Sequence, residues 1–211
     1  FTSVTPLSLG PTTLTVRDIA LGDINRDGRL DLVVAQHSGE DQLWLNDGDP
    51  SPFSTTTPIG LGGAGNATWA VAIGDINSDG WLDILIGYRT GGHNVALISD
   101  QNNPPTFTSS AAGWAWEKTE GLELADFNGD GKLDVISANN DDPDILLLHN
   151  GSATPYAHSN AITLGAGNTP SGSVAVGDID QDGDVDILMG REDAANVIFF
   201  NNGTSTPGTG V

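Results

Sequence analysis

Cysteine is absent from this 211-residue chain, and basic residues are scarce. Without cysteine the chain cannot form disulfides, use a thiol nucleophile or build a cysteine-ligated metal site. Only 7 Lys and Arg oppose 28 Asp and Glu, which gives a formal net charge of −21. Such a charge repels nucleic acid and anionic membranes, because both are bound through clustered basic side chains. We therefore expect no nucleic-acid partner.

Long hydrophobic runs and helical periodicity are also lacking. No run approaches the ~18 apolar residues of a membrane-spanning helix, so we expect no membrane insertion. No initiator methionine or signal sequence is present, and Phe1 is interpreted as a processed or trimmed start. The chain contains instead 28 Gly, 11 Pro and short β-rich runs with period-two alternation. This pattern predicts an all-β fold.

Four decapeptides concentrate side-chain oxygens. They are "GDINRDGRLD" (22–31), "GDINSDGWLD" (74–83), "ADFNGDGKLD" (125–134) and "GDIDQDGDVD" (177–186), called loops 1 to 4 below. They hold 13 carboxylates at candidate ligand positions, three in each of the first three loops and four in the last. Nearly half of the acidic side chains therefore lie where they would repel one another without a cation.

The spacing within each loop suits calcium. Numbered from the first Asp, positions 1, 3, 5 and 9 carry Asp or Asn, and position 6 is Gly. Hard oxygens at alternating places around a tight turn match the 6–8 oxygen ligands of Ca²⁺. Position 7 would contribute only its backbone carbonyl, so its side chain can vary. The predicted ligands of four Ca²⁺ ions are Asp23, Asn25, Asp27, Arg29 and Asp31; Asp75, Asn77, Asp79, Trp81 and Asp83; Asp126, Asn128, Asp130, Lys132 and Asp134; Asp178, Asp180, Asp182, Asp184 and Asp186.

Other readings of the loops are less favoured. An EF-hand requires Glu at position 12 and flanking helices, whereas position 12 lies in an apolar run as Val34, Ile86, Ser137 or Met189. Mg²⁺ prefers strict octahedral geometry and retained waters. A single Asx-rich turn is common without metal, but four copies in register favour calcium. The sequence predicts β-hairpin calcium loops.

The loops recur with a fixed period. Their first aspartates are separated by 52, 51 and 52 residues. A period near ~50 residues with several strands per unit is typical of β-propellers, whereas the coils of the rival β-solenoid are usually ~20–30 residues. We predict four four-stranded blades from repeats of approximately 1–52, 53–106, 107–155 and 156–206. They would form one domain, 1–211, as a whole propeller or a half-propeller.

The order of segments within the repeat leaves one predicted strand, at the start of the chain, without a blade of its own. The segment from Phe1 to Leu9 matches the aromatic-led segments that begin at Phe53, Phe107 and Tyr156. We therefore predict that it forms the outer strand of the last blade, whose other strands come from residues 174–202. Supplied by the same chain, it closes a four-bladed ring, which we slightly favour. Supplied by a neighbour, it builds a dimer or a filament.

The units resemble FG-GAP/VCBS repeats, the calcium-loop blades of integrin alpha-chain propellers, fungal lectins and many secreted bacterial proteins. The resemblance rests on the four loops and on the "NDG" turn at 46–48, echoed by Asn150-Gly151 and Asn202-Gly203. It covers essentially the whole chain. It implies a calcium-binding propeller that is extracellular or at the cell surface. Propellers of this family commonly have seven blades, and this chain supplies four.

No catalytic motif accompanies the loops. G-x-S-x-G, H-E-x-x-H and phosphate-cradling glycine loops are absent from the sequence. The four histidines occupy unrelated places in their repeats and are interpreted as surface or turn residues: His37, His93, His149 and His158. We expect a non-catalytic structural or adhesion module.

Two alternatives and one modification remain open at this point. A carbohydrate-binding propeller would stack sugars on tryptophan, with Trp114 and Trp116 better candidates than Trp44, Trp69 and Trp81. A subunit of an extracellular filament would use strand exchange. The expected ligand is a protein or a glycan. Three sequons indicate a glycosylated product, at Asn66, Asn150 and Asn202.

Overall fold

The computed structural model describes residues 15–53, 57–63, 65–90, 92–111, 118–152, 156, 161–165 and 169–203. Regular structure in these residues is entirely β, with fifteen strands in four antiparallel sheets. Within this part of the chain, no helical segment has the length and apolarity to span a bilayer. The predicted all-β propeller of four blades is confirmed.

Each blade is one sheet, and its strands are ordered as in the sequence. Blade 1 contains β1 (Val16–Gly22), β2 (Asp31–Gln36), β3 (Gln42–Trp44) and β4 (Ile59–Gly60). Blade 2 contains β5 (Ala67–Gly74), β6 (Asp83–Thr90), β7 (Val95–Ser99) and β8 (Phe107–Ala111). Blade 3 contains β9 (Thr119–Ala125), β10 (Asp134–Asn139), β11 (Asp144–Leu147) and β12 (Ala161–Leu164). Blade 4 contains, in the described residues, β13 (Ser171–Gly177), β14 (Asp186–Arg191) and β15 (Val197–Phe199).

The outer strand of a blade comes from the start of the next predicted repeat. Strand β4 follows Phe53, and β8 begins at Phe107. The segment 1–9, which would by analogy complete blade 4, lies outside the described residues. Its role as a blade strand and the repeat boundaries stay predictions.

The hydrophobic core lies between the blades rather than within one central mass. Three clusters of buried side chains join blade 1 to blade 2, blade 2 to blade 3 and blade 3 to blade 4. The second strands β2 and β10 are buried along their whole length, since both of their faces meet other parts of the protein. This accounts for their continuous apolar sequences.

A side-chain hydrogen bond between equivalent positions crosses each junction between blades. At the first junction, the Thr68 hydroxyl of blade 2 donates to Asp41 Oδ2 of blade 1 at 2.8 Å. At the second junction the direction is reversed, because the Asn94 amide donates to the Thr119 hydroxyl at 2.8 Å. At the third junction the Ser171 hydroxyl donates to Asp144, also at 2.8 Å. These six residues are buried, so each bond is shielded from water.

The blades follow one another in an open arc. Strands β1, β5, β9 and β13 pack side by side in this order, but β1 and β13 are not among the strand pairs in extensive contact. Large apolar side chains are exposed on the outward sides of both terminal blades. The closure of the four blades within one chain, which the sequence slightly favoured, is therefore not seen in the described residues.

Candidate metal sites

Each loop is the hairpin that connects the first and second strands of its blade. The residue before position 1 pairs with the Asp at position 9, as Gly22 does with Asp31. At position 6, Gly28 has a φ of 83° and Gly183 a φ of 99°. A Cβ on Gly28 would meet nothing within 4 Å. The left-handed backbone, not a lack of space, thus selects glycine there.

The carboxylate at position 1 organises the turn. In loop 1, Asp23 accepts hydrogen bonds from the N–H groups of Asp27 and Gly28, both at 2.9 Å. Asp27 in turn accepts the N–H of Arg29 at 3.0 Å. All of these bonds recur in the other three loops. The side-chain oxygens are thereby turned towards the inside of one tight loop, and each oxygen has lone pairs for more than one partner.

The Asp at position 9 connects three parts of each blade. Asp83 is fully buried, and its two oxygens accept the N–H groups of Ile76 at 3.0 Å and Ser99 at 2.8 Å. It therefore ties the loop to the end of the third strand. The equivalent donors are Ile24 and Asn46 to Asp31, Phe127 and His149 to Asp134, and Ile179 and Asn201 to Asp186.

Burial makes three of these carboxylates unfavourable as isolated anions. It raises the pKa of Asp83 and that of Asp134 to about 6, against backbone hydrogen bonds that oppose the shift. Burial raises the pKa of Asp31 as well. A buried carboxylate with a raised pKa gains most from a nearby cation, because the cation removes the electrostatic reason for protonation.

In loops 1 to 3 the carboxylate at position 5 already has a polar side chain as a partner. Arg29 forms an ion pair with Asp27 in loop 1, and Lys132 lies 3.4 Å from Asp130 in loop 3. In loop 2, Gln101 donates to Asp79 at 3.0 Å. The position-7 side chains Arg29 and Lys132 thus contact a predicted ligand, although the sequence assigned only their backbone carbonyls to the site.

Among the described residues, loop 4 has no such basic partner, and its carboxylates are more densely grouped. Oxygens of Asp178, Asp180 and Asp186 lie within 4.8 Å of one another, close enough to hold one ion. Partial desolvation, and then the charges of Asp182, Asp186 and Asp178, raise the pKa of Asp180. The donors are all hard oxygens, which fits Ca²⁺ and not a soft metal. In loops 1 to 3 an Asn amide oxygen takes the place of Asp180.

Each described tryptophan is buried or in contact with a guanidinium group. Trp44 is only 8% exposed. Trp69 lies against two guanidinium groups, those of Arg17 at 4.2 Å and Arg89 at 4.3 Å from a ring centroid. The Arg26 guanidinium lies 4.8 Å from a Trp81 ring centroid. Trp114 and Trp116, the better lectin candidates, lie outside the described residues.

His149 lies in a turn, as the sequence analysis allowed, but it is not at the surface. His149 is buried; its Nδ1 accepts the Gly151 N–H at 2.9 Å, so its Nε2 donates to the Ile76 carbonyl of blade 2 at 3.0 Å. Asn201 makes the equivalent bond from blade 4 to the Phe127 carbonyl of blade 3 at 2.7 Å. These bonds, like the hydroxyl bonds between blades, escaped the sequence analysis. Their signal is a polar residue 15 or 16 positions after the position-9 Asp of each loop.

The other three histidines and the sequon asparagines differ in exposure. His37 and His93 are exposed, and His158 lies outside the described residues. Among the sequon asparagines, Asn150 and Asn202 are exposed and Asn66 is half-buried.

Sequence comparison places these loops in a known context. The sequence profile of the FG-GAP-like repeat matches residues 23–86 and 126–189, together more than half of the chain. Cartilage acidic protein 1 of Mus musculus is 29% identical over 138 residues, which covers 57% of this chain and 20% of the relative. The Homo sapiens protein of the same name matches to the same extent. The chain thus spans about a fifth of the length of these curated relatives.

Structure comparison gives two solved proteins of similar fold. One is an Agrocybe aegerita lectin that recognises non-reducing terminal N-acetylglucosamine; it aligns with a TM-score of 0.57 and 20% identity over 93% of this chain and 52% of the lectin. The other is BBS1N in complex with ARL6DN, with a TM-score of 0.59 and 12% identity over 92% of this chain and 56% of that one. At such identities the likeness concerns the fold alone.

Proposed function

Because this chain belongs to the FG-GAP-like repeat family, we propose that it is an extracellular, calcium-stabilised β-propeller and serves as a non-catalytic structural or adhesion module. The observation that carries this proposal is the repetition of one loop geometry in all four blades. Each copy ends in a fully buried carboxylate that ties its loop to the third strand, as with Asp83.

The side chains at positions 1, 3, 5 and 9 and the carbonyl at position 7 would hold the ion. Ca²⁺ would supply positive charge between carboxylates that otherwise repel one another, and it would link the start of the loop to the buried Asp at its end. This neutralisation stabilises the hairpin and, through it, the packing of the inner strands. The chemistry is structural and requires no reaction at the metal.

An extracellular setting suits such sites. Extracellular modules of this chemistry bind calcium at ~10⁻⁴–10⁻³ M, so they are filled by millimolar calcium outside cells. The name of one relative refers to cartilage. Exposed asparagines in sequons at 150 and 202 add support, because N-glycosylation marks secreted proteins.

A protein ligand is favoured over a glycan. Sugar binding by stacking needs an accessible aromatic face, and in the part of the chain that the structure describes guanidinium groups lie over Trp69 and Trp81. A glycan array in millimolar calcium discriminates between the two. Specific binding of a sugar would replace the adhesion proposal with a lectin function.

Thermal unfolding with and without calcium tests the proposal. Ligand linkage adds RT ln(1 + [L]/Kd) for each site, about 2.7 kcal/mol at a hundredfold excess over Kd. We expect the Tm to rise on addition of Ca²⁺, to rise less with equimolar Mg²⁺ and to return to its starting value with EGTA. Isothermal titration should count up to four ions per chain. A Tm that does not respond to calcium or EGTA would refute calcium stabilisation.

A further inference from the structure

Blades 1 and 4 each have one side without a neighbouring blade, and large apolar side chains are exposed on that side. Exposed fractions range from 37% to 59%. On blade 1 these residues are Val16, Ile19, Leu21 and Leu30, called the blade-1 face. On blade 4 they are Ile179, Leu188, Ile198 and Phe200, called the blade-4 face. All eight of the exposed large hydrophobic residues in the described part of the chain belong to one of these two faces.

The equivalent positions of the other blades are buried. Ile19 and Leu122 are equivalent, because each pairs with the residue at position 12 of its own loop. Ile19 is 59% exposed on blade 1, whereas Leu122 on blade 3 is only 7% exposed. Ile179 occupies position 2 of loop 4 and is 43% exposed, whereas Phe127 occupies position 2 of loop 3 and is 2% exposed. Leu188 likewise corresponds to Ile136, which has no exposed surface. The exposed side chains of the two terminal faces therefore occupy positions that are buried between blades elsewhere. Beside them on blade 1, Leu32 and Val34 are buried against Trp44 and Phe53 of the same blade.

The two terminal faces also carry the counterparts of a hydrogen-bond donor and acceptor that bond across a junction within the chain. Asn201 donates across a junction to the carbonyl at position 2 of the preceding loop, that of Phe127. Asn46 has the same place in blade 1, since its N–H bonds to the position-9 Asp as that of Asn201 does. Its side chain donates to the Leu30 carbonyl of its own blade at 3.1 Å, as Asn201 also does to the Val185 carbonyl of blade 4 at 3.3 Å. The carbonyl of Ile179 is the matching acceptor on blade 4.

We propose that the blade-4 face of one chain packs on the blade-1 face of a second copy, and that two such junctions close a ring of eight blades. Each junction would repeat the interface that already joins blade 3 to blade 4, with Asn46 of one copy donating to Ile179 of the other. One position differs: Val16 stands where Thr68, Thr119 and Ser171 form the bonds between blades. Valine has nearly the shape of threonine, so the packing is retained without the hydrogen bond.

A head-to-tail arrangement follows from the handedness of the existing interfaces. Each blade has one side that faces the next blade in the sequence and one side that faces the preceding blade. Every junction within the chain joins two such unlike sides. A symmetric contact between two blade-1 faces would not reproduce this packing. Closure by two copies is consistent with the span of the fold, because the four blades align with only 52% and 56% of the two solved chains of similar fold.

Solution mass, measured by light scattering after size exclusion in millimolar calcium, tests the proposal. The expected mass is twice the 21.8 kDa of one chain. Leu21→Asp and Phe200→Asp alter opposite faces, and both side chains are exposed in the single chain, so the variants should fold. Each should weaken the dimer by at least tenfold in Kd. Thr108→Glu, on the exposed surface of β8, is the matched control and should remain dimeric.

Mixing the two variants sharpens the test. A mixed dimer has one junction with both substitutions and one junction that is intact, so mixing should restore part of the dimer. Circular dichroism of each variant checks that the blades remain folded. A wild-type monomer, a loss of dimer with only one of the two variants, or a mass that grows beyond the dimer with concentration would each overturn the closed head-to-tail ring.

Discussion

Loop 4 and loops 1 and 3 share one backbone geometry but differ in how their charge is balanced. In loops 1 and 3 the position-7 side chain is basic and contacts the carboxylate at position 5, as Arg29 does with Asp27. Loop 4 has Asp184 at position 7 and an additional carboxylate, Asp180, at position 3. It also lies at the open end of the arc, where Asp178 and Asp180 are exposed, whereas Asn25 in loop 1 is buried.

The four loops show that the geometry of the turn and its need for a cation are determined by different residues. The Asp and Gly positions determine the hydrogen bonds of the turn, which are the same in all four loops. The residues between and beside them determine how much the loop needs a cation. Loop 4 should therefore depend on calcium most, and loops 1 and 3 least. The following experiments test that ranking and the shared geometry behind it.

The largest effect is expected from the buried carboxylate that all loops share. Asp134→Ala leaves the N–H groups of Phe127 and His149 without their acceptor. Each buried unpaired group costs about 1–3 kcal/mol, so the free energy of unfolding should fall by roughly 2–6 kcal/mol. Urea denaturation in EGTA measures this loss without any contribution from calcium.

Asp130→Ala in the same loop is the control. Its carboxylate is exposed and accepts the N–H of Lys132 at the surface. The expected change in EGTA is about 0.5 kcal/mol. Equal losses for the two variants would show that the position-9 carboxylate has no special role in the folded blade.

Much of this architecture could be predicted from the sequence, because it repeats. The 52-, 51- and 52-residue spacing, the alternating strands and the place of each loop at a hairpin depend on local patterns that recur four times. The role of Asp83 as a link to Ser99 could not be predicted in this way. That link depends on which strand end lies beside the loop, and a ligand motif does not contain this information.

The contacts between blades were missed for a related reason. The Thr68–Asp41 bond joins residues 27 positions apart in different sheets. Nothing in either residue's neighbourhood in sequence indicates the other. The same is true of the open arc, since alternation predicts that Ile19 faces a core but not whether another blade is present. Long-range packing, rather than local propensity, decides both features.

The next effect concerns pH, and it tests whether buried loop carboxylates resist ionisation. The pKa of Asp83 is about 6 in the folded protein against 3.8 as its ordinary value. The folded state thus holds protons that the unfolded state loses, so stability from this group is present below about pH 4 and is lost as pH rises through about 6. Without calcium, the Tm should fall over this window.

Calcium should reverse that trend, because it binds the ionised form. The Tm increment caused by calcium should therefore grow between about pH 4 and pH 7. Asp83→Asn should flatten the calcium-free profile, whereas Asp79→Asn should not, since hydrogen bonds and the charge of Arg26 outweigh desolvation and lower the pKa of Asp79. A calcium-free Tm that rises steadily with pH would contradict the burial effect.

A smaller effect is expected from exchanging the position-3 residues of loops 3 and 4. Asp180→Asn removes one of the crowded carboxylates, so it should raise the calcium-free Tm and weaken calcium binding at loop 4 by on the order of tenfold. Asn128→Asp should do the opposite in loop 3. Calorimetric titration and melting in EGTA measure both. Shifts of the same sign in the two loops would mean that charge density does not distinguish them.

The smallest effect is expected from Arg29→Ala. The sequence predicts little change, because position 7 offers only a backbone carbonyl to the ion. The structure adds a competing ion pair between Arg29 and Asp27, but Arg29 is 42% exposed and water screens the pair. Exposed pairs contribute at most about 1 kcal/mol, so calcium affinity at loop 1 should rise by no more than about fivefold. Asp184→Ala is the matched change in loop 4, where loss of a negative charge should lower affinity instead. If Arg29→Ala abolished calcium binding, the arginine would belong to the site itself, and the division between shared geometry and local charge balance would fail.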